Sequence, residues 1–179
     1  MQQEFKIAGN RIGVLIGKGG ETKRGIEEKT ASVLTIDSEE GLVAVEGEDP
    51  VQVLLAGSVV QAIGRGFSPE NAFALLADED LIFEQIDLSG LAESPRQLDR
   101  IRGRVIGREG KAREQIEHMT GTHLSIQGKT VAIIGLPDQV KDARTAIEML
   151  LRGVPHESVF TFLDRKRKEA KADMLSYYY

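Results

Sequence analysis

Gly17-Lys18-Gly19-Gly20 and Gly107-Arg108-Glu109-Gly110 each set a cation between two glycines, just ahead of a helix-like segment. Such a phrase can hold a phosphate. Glycine has no Cβ, so a charged chain can approach its peptide closely. A helix start offers an anion free N–H groups and the positive end of its dipole. Lys18 and Arg108 can project toward phosphate oxygens, and Lys23, Arg24, Lys111 and Arg113, a turn further on, can extend the positive track. A single Gly-x-x-Gly can equally be a tight turn between helices. Here the surroundings repeat as well: Leu15-Ile16 and Val105-Ile106 precede the two phrases, and Ile26 and Ile116 follow them on the helices.

Other phosphate chemistries fit less well. Gly13 to Lys18 imitates a P-loop, but its glycines are one residue too close and no Ser or Thr follows the lysine to hold magnesium. The dinucleotide pattern Gly-x-Gly-x-x-Gly fails because no glycine follows Gly20 at the required place. No hydrolase triad, catalytic carboxylate pair or nucleophile elbow is present, so the chain reads as no enzyme. Cysteine is absent, and His118, His123 and His156 lack metal-ligand spacing, so neither metal nor cofactor is expected. His123 reads as a surface strand residue or a base-stacking one. Asp78-Glu79-Asp80 reads as a polar break before a strand, with a metal site as the alternative.

The net charge of −5 runs against nucleic acid, whose partners usually carry a basic footprint. The average conceals segregation. Residues 96–113 hold Arg96, Arg100, Arg102, Arg104, Arg108, Lys111 and Arg113 against Asp99 and Glu109, whereas 37–49 and 70–87 hold only acidic charges. The positive stretch coincides with the second glycine phrase. An Arg-rich stretch can also be a solvated helix face, and Arg165 to Lys168 near the chain end reads that way or as a contact. No apolar run is long enough to span a bilayer, and the N-terminal residues do not form a signal peptide. The expectation is a soluble, cytoplasmic protein without a membrane partner.

Stepping outward from the glycines, the same elements come round twice. In the first half, 4–9 reads as a strand and Arg11–Ile16 as a short helix before the phrase. Glu21–Thr30 reads as a helix after it, followed by strands at 32–36 and 42–45 and a helix from Pro50 to about Gly64. In the second half, 81–88 is a strand. A helix opened by Ser94-Pro95 presents Leu98, Ile101 and Val105, and a helix capped by Gly121 follows the phrase. Strands at 123–126 and 130–134 and a helix from Pro137 complete the copy. Gly66-Phe67-Ser68-Pro69 and Gly153-Val154-Pro155-His156 each open one more helix. The fold class is α+β: two β-α-α-β-β-α units, each with an added helix, expected at 1–80 and 81–179.

This order, with Gly-x-x-Gly joining the first two helices, resembles the KH domain of RNA-binding proteins. The few residues before Gly17 leave no room for the upstream elements of the bacterial arrangement, so both copies resemble type I (eukaryotic-type) KH domains. The resemblance implies that each loop clamps the backbone of about four nucleotides. It places the bases on an apolar groove floored by Leu34 and Ile36 in copy one and by Leu124 and Ile126 in copy two. Alternation alone does not decide which of each pair faces the groove. The loop flanking the groove carries Glu39 and Glu40 in copy one but Gln127-Gly128-Lys129 in copy two. The helix before the motif carries four arginines, Arg100 and Arg104 among them, in copy two, against Arg11 alone in copy one. Copy two is therefore expected to dominate RNA binding, with Glu109 a slight counterweight.

The run IRGRVIGREGKAREQIEHMTGTHLSIQGKTVAIIG, followed by a helix and HESVFTFLDRKRK, resembles more than a generic KH unit. Together with the first copy it resembles the archaeal two-KH ribosome-assembly proteins, relatives of the eukaryotic "partner of Nob" pre-rRNA processing factor. The intact Gly17-Lys18-Gly19-Gly20 departs from the eukaryotic members, which tend to lose it. The resemblance implies non-catalytic binding near the 3′ end of small-subunit rRNA. It also implies cooperation with a PIN-domain endonuclease and contact with the alpha subunit of translation initiation factor two. Another KH role, in mRNA regulation or beside an exosome, and a protein scaffold with vestigial KH folds remain the alternatives.

Overall fold

A computed structural model describes residues 1–179 and divides them into two compact units, Met1–Phe83 and Glu84–Tyr179. The first unit runs β1 (Gln2–Lys6), α1 (Gly9–Ile16), α2 (Glu21–Thr30), β2 (Val33–Asp37), β3 (Leu42–Glu46), α3 (Pro50–Gly64) and α4 (Pro69–Ala77). The second runs β4 (Ile82–Asp87, whose first two residues precede the division), α5 (Pro95–Ile106), α6 (Lys111–Thr120), β5 (His123–Gln127), β6 (Thr130–Gly135), α7 (Pro137–Leu151) and α8 (His156–Tyr178). Both are type I KH folds with one added helix, as the order of sequence patterns predicts.

Each sheet has its last strand in the middle, β1-β3-β2 and β4-β6-β5. The pairing is antiparallel, with Leu34 opposite Val45 and Leu124 opposite Ile133. The central strands are therefore the most apolar: Val43 and Val45 in one, Val131, Ala132 and Ile133 in the other, are fully buried. They are covered by Leu15, Ile26, Val59 and Ile63 from the helices of the first unit, and by Val105, Ile116, Ala143 and Ile147 in the second. β1 starts at Gln2, earlier than its apolar residues suggest, because Gln2 pairs with Glu46 across the ladder. Pairing, not hydrophobicity, sets that boundary. In α5, Val105 is buried, while Leu98 and Ile101 of the expected stripe are only half-buried.

The repeat extends to buried polar detail. Thr30 Oγ1 donates to the Ile26 carbonyl at 2.7 Å and lies 2.6 Å from Ser32 Oγ. Thr120 Oγ1 does the same to Ile116 at 2.7 Å and lies 2.8 Å from Thr122 Oγ1. Each pair satisfies hydroxyls in the turn that leads from helix to strand, where an unpaired one would be costly.

Candidate nucleic-acid interface

The two glycine loops have nearly the same backbone. The first glycine has φ 77° and ψ 173° in Gly17, and φ 75° and ψ 177° in Gly107. A Cβ on Gly17 would lie 2.4 Å from Thr22 Oγ1, and one on Gly107 would lie 2.5 Å from the Ala112 Cβ. The first glycine is thus required by close packing against the helix as well as by its left-handed φ. The third residue is also left-handed, at φ 62° in Gly19 and φ 56° in Glu109. Copy two places a side chain with a Cβ in a conformation that costs about 1 kcal/mol or more. Its carboxylate is solvent-exposed. The helices that follow have Gly20 and Gly110 at their N-cap positions, with no side chain to cap the first N–H groups.

The cations around these loops divide into free and committed ones. Lys18, Arg100, Arg108 and Lys111 are exposed, and none of them forms an ion pair. Lys23 lies 3.4 Å from Glu27, and Arg113 lies 3.1 Å from Glu117. Arg24 Nη1 donates to the Gly19 carbonyl at 2.8 Å and so braces the first loop. Arg104, expected among the RNA-contacting cations, is largely structural. Its Nε donates to the Leu150 carbonyl at 2.9 Å and its Nη2 to Val154 at 2.8 Å, capping the end of α7. Arg11 does the same for α3, donating to Ile63 and Phe67 at 2.8 Å. Burial lowers the Arg11 pKa from its ordinary value. These arginines occupy different turns of their helices, which is why sequence offset alone does not pair them.

Of the floor residues, Leu34 and Leu124 are buried, at 2% and 3% exposure, while Ile36 and Ile126 are half-buried. The pairs therefore split: the leucines belong to the core and the isoleucines stay partly open to solvent. A glutamate that sequence reading missed joins helix to strand in both units. Glu27 Oε2 accepts the Leu34 N–H at 3.0 Å, and Glu117 Oε2 accepts that of Leu124 at 2.9 Å. The signal was present as a Glu seven residues before the same strand position in both copies. Lys129 is exposed in the β5–β6 turn, where it lines a cavity of about 180 Å³ with Ser94, Pro95 and Leu98. It lies by the start of α5, whereas the glycine loop lies at that helix's far end. Asp37 Oδ1 accepts the N–H groups of Glu39 and Glu40, both at 3.1 Å, which fixes the acidic turn of copy one.

A larger cavity, about 530 Å³, opens beside the second glycine loop between α5, α6 and the start of α8. Gly103, Gly107, Arg108, Lys111, Gln115 and Phe160 are among its lining residues. His156 forms part of the wall and donates from Nε2 to the Arg104 carbonyl at 2.8 Å. Carbonyl oxygen only accepts, so that tautomer is fixed. Farther along α8, the run Arg165–Lys168 is largely internally paired. Asp164 lies 3.0 Å from Lys168 and 3.3 Å from Arg167, and Glu169 lies 3.8 Å from Arg165 and 3.6 Å from Lys166. No group of three His, Cys, Asp or Glu is placed to hold a metal ion. No helix is long and apolar enough to cross a membrane.

Comparison with known proteins agrees with this geometry. Residues 82–168 match the eukaryotic-type KH domain (KH domain type I), and residues 2–62 match the KH domain. The chain is 45% identical over 171 residues to the KH domain-containing protein MJ0443 of Methanocaldococcus jannaschii, covering 93% of this chain and 74% of that one. It is 30% identical to the RNA-binding protein PNO1 of Oryzias latipes over 64% of this chain, and so spans about half (48%) of that relative. A crystal structure of an a/eIF2alpha-aDim2p-rRNA complex from Pyrococcus horikoshii matches with a TM-score of 0.87 and 49% identity, covering 94% of this chain and 95% of that one. With both KH units matched and most of an archaeal relative covered, the chain belongs to the archaeal Dim2-like family of two-KH-domain ribosome-assembly proteins, relatives of eukaryotic PNO1.

Proposed function

We propose that this protein binds single-stranded RNA, without catalysing a reaction on it, through the glycine loop of its second unit. The observation that carries this reading is the exposed, unpaired Arg108 between Gly107 and Gly110, at the uncapped start of α6. Phosphates would meet the helix N–H groups, Arg108 and Lys111. Arg100 lies on the same side, and Ile126 offers apolar edge to a base. Arg113 contributes less, because Glu117 holds it. The RNA is the 3′ region of small-subunit rRNA during its processing, a reading supported by relatives described as pre-rRNA-processing proteins and by a structural neighbour solved with rRNA. That neighbour also holds a/eIF2alpha, which supports the alpha subunit of initiation factor two as a partner.

The first unit is the weaker RNA contact in this reading. Its loop has Lys18, but Arg24 is turned onto the loop carbonyl of Gly19, and Glu21 stands where the second unit has Lys111. Lys23 is paired with Glu27. A fluorescence-anisotropy titration of the full chain with labelled single-stranded RNA, repeated across salt concentrations, tests the proposal. Neutralising about four phosphates gives a log–log slope near −3. A slope near zero contradicts RNA binding through a phosphate clamp and favours a protein scaffold.

A further inference from the structure

We infer that the cavity between α5, α6 and α8 receives a nucleotide of the same RNA strand, beyond those held at the glycine loop, with its base against Phe160. The inference rests on the RNA reading above and adds a second subsite to it. Helix geometry separates this cavity from the strand-side groove. Lys111 and Gln115 line it, whereas Arg113 and Glu117, about 200° around the helix from them, face the strand side, where Glu117 clips Leu124. The glycine loop thus stands between two openings, and a strand crossing it can enter both.

The chemistry of the walls suits a nucleotide. Arg100, Arg104, Arg108 and Lys111 line the cavity, and no carboxylate does. Arg100, Arg108 and Lys111 are exposed, so phosphate can reach them. Phe160 is half-buried and lies 6.2 Å from the His156 ring at a tilt of 57°. His156 is held by Arg104, and Arg104 by α7, so the imidazole beside Phe160 is in place before any ligand arrives. A π-face beside cations is the combination that holds single-stranded bases without regard to sequence. The volume of about 530 Å³ is ample for one nucleotide.

The first unit shows the same place closed. Gly25 stands where the second unit has Gln115, and a Cβ there would lie 3.3 Å from Cζ of Phe73. Phe73 is the counterpart of Phe160 on the added helix. Its ring lies against the glycine, and Lys29 Nζ sits 4.8 Å from the ring centroid. The aromatic face that the second unit leaves open is thus occupied in the first.

Because the chain contains no tryptophan, the Phe160→Trp variant carries one reporter at the proposed stacking face. The probes are a tetranucleotide and an octanucleotide of single-stranded RNA, both copied from the 3′ end of an archaeal small-subunit rRNA. The octanucleotide should quench the variant's emission in proportion to binding, and the tetranucleotide, which fills the clamp alone, should not. In the otherwise unaltered chain, Gln115→Trp, which fills the cavity, and Phe160→Ala should each weaken octanucleotide binding roughly tenfold, as loss of one base–aromatic stack does. Unchanged emission at saturating octanucleotide overturns the inference, as does octanucleotide affinity unchanged in the Gln115→Trp variant. Quenching by an acidic peptide but not by RNA overturns it in favour of a protein occupant. Full RNA affinity in an Arg108→Asp/Glu109→Asp variant would sink the loop reading alone, since the quenching decides the cavity in either case.

Discussion

In the first unit Gly25 admits the ring of Phe73, and in the second Gln115 stands at that position with a cavity between it and Phe160. Around this point the two units exchange charges one for one. Glu21 becomes Lys111 and Arg24 becomes Glu114. Arg24 braces its loop from within, through Gly19, whereas Glu114 stands at that position in the second unit, where Arg108 and Lys111 are exposed and unpaired. The backbones are nearly superimposable in dihedral angle, so the fold alone does not decide which unit holds RNA. In the proposed reading, side chains on two helix faces do.

The same comparison shows which glycines are structural. Gly17→Ala and Gly107→Ala should destabilise their units by similar amounts, about 3 kcal/mol, combining left-handed strain with a clash against the following helix. Denaturant unfolding followed by circular dichroism measures this. A large loss in one unit and none in the other would break the equivalence of the loops. Next in size, Arg104→Met and Arg11→Met should each cost about 2 kcal/mol by orphaning two carbonyls. Arg104→Met should leave the salt slope of RNA binding almost unchanged. A slope reduced by about one phosphate contact would return Arg104 to the RNA interface.

The smallest effects sharpen the asymmetry. Each unit has one non-glycine left-handed residue where the other has glycine: Ala31 opposite Gly121, and Glu109 opposite Gly19. Ala31→Gly and Glu109→Gly should each stabilise by about 1 kcal/mol, seen as a higher midpoint of unfolding. Glu109→Gly should also tighten RNA by removing a carboxylate from the loop. If it weakens RNA, Glu109 has a positive role in the clamp.

Much of this was legible in the residues. Paired glycine phrases, flanking isoleucines and Pro-led helices give element order twice, because local backbone demands and periodicity leave direct traces. The exceptions all depend on distant partners. Arg104 looks like a free cation until α7 ends beside it, 46 residues on. Lys129 looks like a groove residue until the turn places it near Ser94 rather than near Gly107. Glu27 and Glu117 look like solvated helix charges until an edge strand brings its N–H to them. Phe160 gains meaning only when α8 is seen to lie against α6. The loop itself was found by spacing; its second wall was not.

The central claim is that the second loop holds the RNA more tightly than the first. It is tested by anisotropy titration of labelled octanucleotide against two full-chain variants, Arg108→Asp/Glu109→Asp and Lys18→Asp/Gly19→Asp, with folding checked by circular dichroism. Asp tolerates the left-handed position better than most residues, which limits strain. The second-unit variant should lose roughly a hundredfold in affinity, and the first-unit variant less than about tenfold. Equal losses, or a larger loss in the first-unit variant, would contradict the account.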